Sequence, residues 1–250
     1  MPDLPPLGRR LFAEFLGTGL LVAVVIGSGI AAEQLSPDDT GLQLLQNSLT
    51  TVFGLGVLIL LFGPVSGAHF NPVVSAVDWA LGRRDGTGLS AGDVAAYTAA
   101  QILGGAGGAV IANLMFELPP VTISDTVRSG LGLWLGEIVA TAGLIAVIVA
   151  LARTGRAALS AVTVASWIGA AYWFTSSTSF ANPAVTVGRA LTGSFAGIAP
   201  GSVPGFVAAQ LLGAALAITL YPDARRAAED IVVPHGTRTT AITSTEGTTP

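Results

Sequence analysis

Ser66-Gly67-Ala68-His69-Phe70-Asn71-Pro72-Val73 and Ser179-Phe180-Ala181-Asn182-Pro183-Ala184 decide the fold of this 250-residue chain, because each sets Asn-Pro between long apolar segments. Asparagine caps a helix well, since its side-chain oxygen accepts free backbone N–H groups, and proline suits the first helical position, where a missing donor does no harm. Each motif therefore starts a helix. The apolar runs that follow, Val73 to Leu81 and Ala184 to Leu191, hold only about 9 residues, roughly 15 Å against a hydrocarbon core of about 30 Å. They are expected as half-membrane helices whose N-termini meet at the midplane, and such a pair points to a membrane pore.

Composition sets the same frame. With 51% hydrophobic and 10% charged residues and a mean hydropathy of +0.70, the chain is too apolar for an ordinary soluble domain. Apolar runs at about Leu11–Ile30, Leu42–Phe62, Val94–Met115, Leu131–Leu151, Leu159–Thr175 and Val203–Leu220 predict six membrane spans besides the two short segments. The first run follows Arg9-Arg10, lacks a small-residue cleavage site and is expected to remain as the first helix.

All basic residues are arginine, and Arg9/Arg10, Arg83/Arg84, Arg153/Arg156 and Arg225/Arg226 fall on one face if six spans are threaded. That face is expected to be cytoplasmic, with both termini there, in a multi-pass plasma-membrane protein. The organisation expected is an N-terminal cytoplasmic segment 1–8, a channel domain 9–221, and a Thr-rich disordered cytoplasmic tail 222–250. With no cysteine and only His69 and His235, neither a disulfide nor a metal site is expected, and nothing supports nucleic-acid binding.

The halves repeat one another. Ala13-Glu14-Phe15-Leu16-Gly17-Thr18 resembles Gly136-Glu137-Ile138-Val139-Ala140-Thr141, and Ala100-Gln101-Ile102-Leu103-Gly104 resembles Ala209-Gln210-Leu211-Leu212-Gly213. With the Asn-Pro pair these make three ordered matches, so repeat one (about 9–115) and repeat two (about 131–221) imply a duplication. Three spans per half is an odd number, which makes the repeat inverted.

The paired Asn-Pro boxes, the Ser-Gly-Ala-His-Phe-Asn-Pro run, the two Glu and the two Gln-x-x-Gly positions together resemble the aquaporin, or major intrinsic protein, family over about residues 9–221. The resemblance implies an all-α membrane protein with an aquaporin-like bundle of six transmembrane helices and two re-entrant half-helices, one pore per protomer, no cofactor, and a homotetramer. Gly104/Gly108 and Gly132/Gly136 offer faces for close helix contact, within a protomer or between protomers.

In the pore boxes Asn71-Pro72-Val73 and Asn182-Pro183-Ala184, both asparagines are expected to cap with oxygen and donate amide hydrogens to a passing solute. The facing N-termini add partial positive charge that rejects cations. Glu14 and Glu137, carboxyls inside apolar spans, are expected to accept bonds from the irregular backbone before each half-helix; a proton relay is the alternative. His69 either lines the inner half of the pore or bonds a nearby group. Val73 in place of alanine faces the pore centre or the protein.

Where the family usually carries arginine directly after the second Asn-Pro-Ala, this chain has Val185. Arg189, one turn further, is expected near the outer end of the half-helix and not to substitute. Counting without gaps from the asparagines places the remaining filter positions at Thr51, or Phe53 if span two is shorter, and at Ala170 and Ser179. A Thr/Ala/Ser/Val ring is wide and amphipathic. A pore without that arginine resembles a subgroup associated with arsenic resistance, in which arsenous acid is the expected cargo.

The expected function is a passive channel for small uncharged polar solutes (glycerol-like polyols, urea, undissociated metalloid acids) and water, with small neutral solutes, water and lipid as partners. The alternatives are a water-selective aquaporin and a secondary active transporter, since inverted repeats with broken helices also build transporters. No nucleophile–base constellation supports an enzyme.

Overall fold

A computed structural model of the chain describes residues 5–83 and 86–220. The expected tail 222–250 lies outside the described residues, as do residues 1–4 of the expected N-terminal segment. The described chain is helical: α1 (Leu7–Leu35), α2 (Thr40–Ser66), α3 (Pro72–Gly82), α4 (Ala91–Met115), α5 (Leu131–Arg153), α6 (Ser160–Phe174), α7 (Pro183–Arg189) and α8 (Val203–Leu220). Six are long and apolar enough to cross a bilayer, and α3 and α7 are the two short helices that the Asn-Pro motifs predicted. At 7 residues, α7 ends two positions before the expected Leu191.

Local chemistry fixes the helix ends. Asp39 accepts the Leu42 amide to start α2, and Ser90 accepts the Asp93 amide to start α4. Gly67, at φ 89°, stops α2 in the left-handed conformation that glycine adopts without steric cost. Pro64 sits in the last turn of α2, just before that stop.

Two helix pairs hold the scaffold, α1 with α4 and α5 with α8, and both are made by glycine. A Cβ on Gly104 would lie 2.1 Å from the Phe15 carbonyl oxygen and one on Gly108 2.0 Å from that of Gly19, so the α1 and α4 backbones touch. Gly213 does the same for α8, its Cβ position lying 2.5 Å from the Ile138 oxygen on α5. The Gly104/Gly108 face therefore works inside the protomer. Gly136 packs on Ser176 and Ser177, whereas a Cβ on Gly132 would meet open space. In lipid, where apolar burial gives little drive to helix association, this close approach supplies dispersion contact instead.

Large apolar side chains such as Phe12, Phe53, Leu60, Leu103, Ile111 and Leu131 stand exposed on the outside of the bundle. That surface is the inverse of a soluble protein and suits a hydrocarbon solvent. Near the start of the first span, Arg10 pairs with Asp93 at 3.2 Å and tethers α1 to α4.

Candidate pore and its constrictions

The segments ahead of α3 and α7 are built alike. Ala68 (φ 50°) and Phe70 (φ 49°) hold left-handed backbone before Asn71, and Ser179 (φ 51°) and Ala181 (φ 48°) hold it before Asn182. Such conformations cost non-glycine residues on the order of 1–3 kcal/mol each and persist only where surrounding bonds fix them. A buried carboxylate does so in each half. Glu14 accepts the amides of His69 (3.0 Å) and Phe70 (2.7 Å), the Ser66 hydroxyl (2.6 Å) and the Gln101 amide (2.8 Å). Glu137 accepts the amides of Phe180 and Ala181, both at 2.8 Å, and the Gln210 amide at 2.6 Å. Gln101 also donates to Ser75, and Gln210 to Thr186. The two glutamates thus organise backbone, and their neighbours are matched residue for residue between the halves.

Asn71 and Asn182 cap their helices, the Asn71 side-chain oxygen accepting from Val73 and that of Asn182 from Ala184 and Val185. Pro72 and Pro183 occupy the first helical positions. The asparagine amides cross over: Asn71 Nδ2 donates to the Ala181 carbonyl at 2.8 Å, and Asn182 Nδ2 to the Phe70 carbonyl at 2.7 Å. This reciprocal pair joins the N-termini of α3 and α7. A primary amide carries two hydrogens, so each asparagine keeps one beyond the crossed bond, and both residues line the same cavity.

That cavity has a volume of about 930 Å³ and is lined by all the long helices except α4, together with both half-helices. Leu21 and Val25 on α1, Leu55 and Ile59 on α2, and Val164 and Ile168 on α6 give it apolar lining. His69, the two asparagines and the irregular backbone around them give it polar lining. Asp78, Arg83 and Arg153 also contribute to the lining. Asp78 accepts the Leu89 amide at 2.8 Å, and the Arg83 guanidinium lies over the Trp79 ring. His69 bonds Ser75 through Nδ1 at 3.0 Å and also lines the cavity.

Thr51 lines the cavity and pairs with the Tyr172 hydroxyl at 3.2 Å, while Phe53 is 69% exposed on the outside of the bundle. Ser179 and Val185 line it too. Val73 faces the protein, packed with Val77, Ile145 and Val149, and Ala184 is likewise buried against protein. Ala170 requires correction, because it is exposed and takes no part in the lining. Tyr172, two residues on, faces inward instead. Two residues turn a helix by about 200°, so a register error of that size moves a side chain to the opposite face. The spacing Val164, Ile168, Tyr172 would have exposed the error, since all three share one helical stripe.

Arg189 ends α7, where it was expected, but it is not remote from the lumen. It is 2% exposed, lines the cavity, lays its guanidinium over the Phe180 ring at 3.4 Å, and donates through Nε to the Ala196 carbonyl. The lumen is therefore not free of arginine. Arg128, from the loop between α4 and α5, also lies over the Phe180 ring, at 5.3 Å, and donates to the carbonyls of Gly197 and Phe195. Burial pushes the Arg128 guanidinium below its usual range, against the opposing pull of Glu137. The same loop runs along the end of α7, with the Thr122 and Ser124 amides bonded to the Leu191 and Ala190 carbonyls.

Six spanning helices, five of which line one cavity, with two half-helices joined cap to cap, describe a polytopic membrane protein of channel-like fold. The chain belongs to the major intrinsic protein family, whose pattern it matches over residues 4–179. It is 52% identical over 214 residues to the aquaglyceroporin AqpS of Rhizobium meliloti, an alignment covering 86% of this chain and 89% of that protein. It is 36% identical to human aquaporin-2 over 115 residues, 46% of this chain and 38% of that one. The crystal structure of the aquaglyceroporin from Plasmodium falciparum superposes with a TM-score of 0.66 at 19% identity, covering 90% and 99% of the two chains, a likeness of fold. The protein is thus a non-catalytic, passive channel of the major intrinsic protein family for small polar solutes or water, similar to aquaglyceroporins.

Proposed function

We propose that the permeant solutes are small and uncharged: glycerol-like polyols, urea and undissociated metalloid acids such as arsenous acid, with water accompanying them. The mixed lining of the lumen carries this reading. A polyol presents hydroxyls and C–H groups together, and the cavity combines polar donors with Leu, Val and Ile side chains. Asn71 and Asn182 would hand the solute across the centre with their remaining amide hydrogens, and Thr51, Tyr172, Ser179 and Val185 would form the outer constriction. The facing N-termini of α3 and α7 oppose cations there.

We further infer that both termini are cytoplasmic in the plasma membrane, supported by Arg83 and Arg153 at one end of the lumen, and that the two halves are inverted copies. Family resemblance supports a homotetramer, for which the exposed apolar flanks leave room. A stopped-flow comparison of water, glycerol and arsenous acid in proteoliposomes tests the solute assignment. Gradients of all three should dissipate without accumulation. Water flux with no glycerol or arsenous acid flux makes the protein water-selective, and saturable concentrative uptake makes it a transporter.

A further inference from the structure

We propose that Arg189 is the charged, specificity-determining group of the outer constriction, presenting its terminal guanidinium nitrogens to the lumen; the proposal rests on the channel reading above. An arginine offers five donor hydrogens, and here a single one, on Nε, is engaged by the Ala196 carbonyl. Among the described residues no carboxylate pairs with Arg189. Its terminal nitrogens carry no protein hydrogen bond, yet they are not among the sealed, unpartnered buried atoms, so they open onto space. That space is the cavity, which the residue lines.

A buried cation without a counter-ion is tolerated where water or solute reaches it and where its apolar face is covered. Phe180 covers that face. The guanidinium donors left open on the lumen are positions for a polar permeant. The valine after the second Asn-Pro-Ala does not remove charge from the constriction; the charge is carried one turn later on the same half-helix.

The size of the effect follows from Coulomb's law. Arg189 ends a 7-residue helix that Asn182 caps. Its charge is therefore about 10 Å from the asparagine constriction, and at an effective dielectric of about 20 it lowers a cation's population there roughly tenfold. Removing it lowers the barrier even where the asparagines limit passage.

Formamide and formamidinium, nearly the same size but neutral and cationic at pH 7, serve as probes in proteoliposomes at equal density of folded protein. For Arg189→Gln the formamidinium-to-formamide permeability ratio should rise about tenfold. An unchanged ratio in a folded, formamide-conducting variant overturns the proposal. If the Gln variant does not fold, Arg189→Lys decides. It keeps the charge, so formamidinium stays excluded, but three donors on a compact head replace the planar fork and the glycerol-to-water ratio must shift. A Lys variant with that ratio unchanged makes Arg189 a purely structural clamp. A wild type that passes neither formamide nor glycerol refutes the channel reading itself, whatever the variants do.

Discussion

Glu137→Gln separates a carboxylate that organises backbone from one that moves protons. In the wild type one carboxylate oxygen holds the Phe180 amide and the other holds those of Ala181 and Gln210. Glutamine keeps one oxygen. With that oxygen placed toward Ala181 and Gln210, its NH₂ group faces the Phe180 N–H, and two buried donors, that N–H and the new NH₂, are left without an acceptor at about 1–3 kcal/mol each. The surviving bonds also lose charge assistance. Removing a buried charge returns part of that cost, on the order of 2 kcal/mol, which leaves a net destabilisation of about 2–4 kcal/mol. Unfolding in mixed SDS and detergent micelles should register this as an earlier midpoint, and Glu14→Gln should behave similarly because its donors correspond. Glycerol flux per folded molecule in proteoliposomes should be unchanged. Full stability combined with abolished, pH-dependent uptake would refute the reasoning and return the transporter alternative.

Asn182→Asp puts a carboxylate against the N-termini of both half-helices and removes the donation to the Phe70 carbonyl, so a cation conductance absent from wild type should appear in planar bilayers. Val185→Arg adds a second guanidinium one turn before Arg189, filling the lumen, and the glycerol-to-water permeability ratio should fall in stopped-flow measurements. Gly108→Ala pushes a methyl group against the Gly19 carbonyl and should cost about 2–3 kcal/mol of stability in the same unfolding assay. Gly107→Ala, which meets open space, should instead gain up to about 1 kcal/mol from helix propensity.

The half-helices were legible because Asn-Pro states a local rule, cap then first turn, that needs no tertiary information. Six spans followed from run length, and the roles of Glu14 and Glu137 followed from the cost of a carboxyl in an apolar helix. Register across a loop was not legible. A gapless count from Asn182 crosses the irregular stretch Thr175–Ala181, and its error of two residues exchanged inward-facing Tyr172 for outward-facing Ala170. The burial of Arg189 was not legible for another reason. It depends on Phe180 beneath it and on the Ala196 carbonyl seven residues later, contacts that no spacing rule encodes. The face of Gly104 and Gly108 was visible in the sequence, but its partner became evident only with the Phe15 and Gly19 carbonyls in place.

The crossed amides have a consequence for how the protein is made. Everything through α4 leaves the ribosome before Ala181 and Asn182 exist, so the Phe70 carbonyl and the Asn71 amide must wait inside the bilayer, hydrated or loosely held, until the second half arrives. The first half can insert and pair α1 with α4 through its glycines, but its re-entrant segment has no final partner. Completion is a handshake between translation products more than 100 residues apart, and it locks both strained segments in one step. Two halves translated from separate messages would have to find each other in the membrane before either could hold its own half-helix in place.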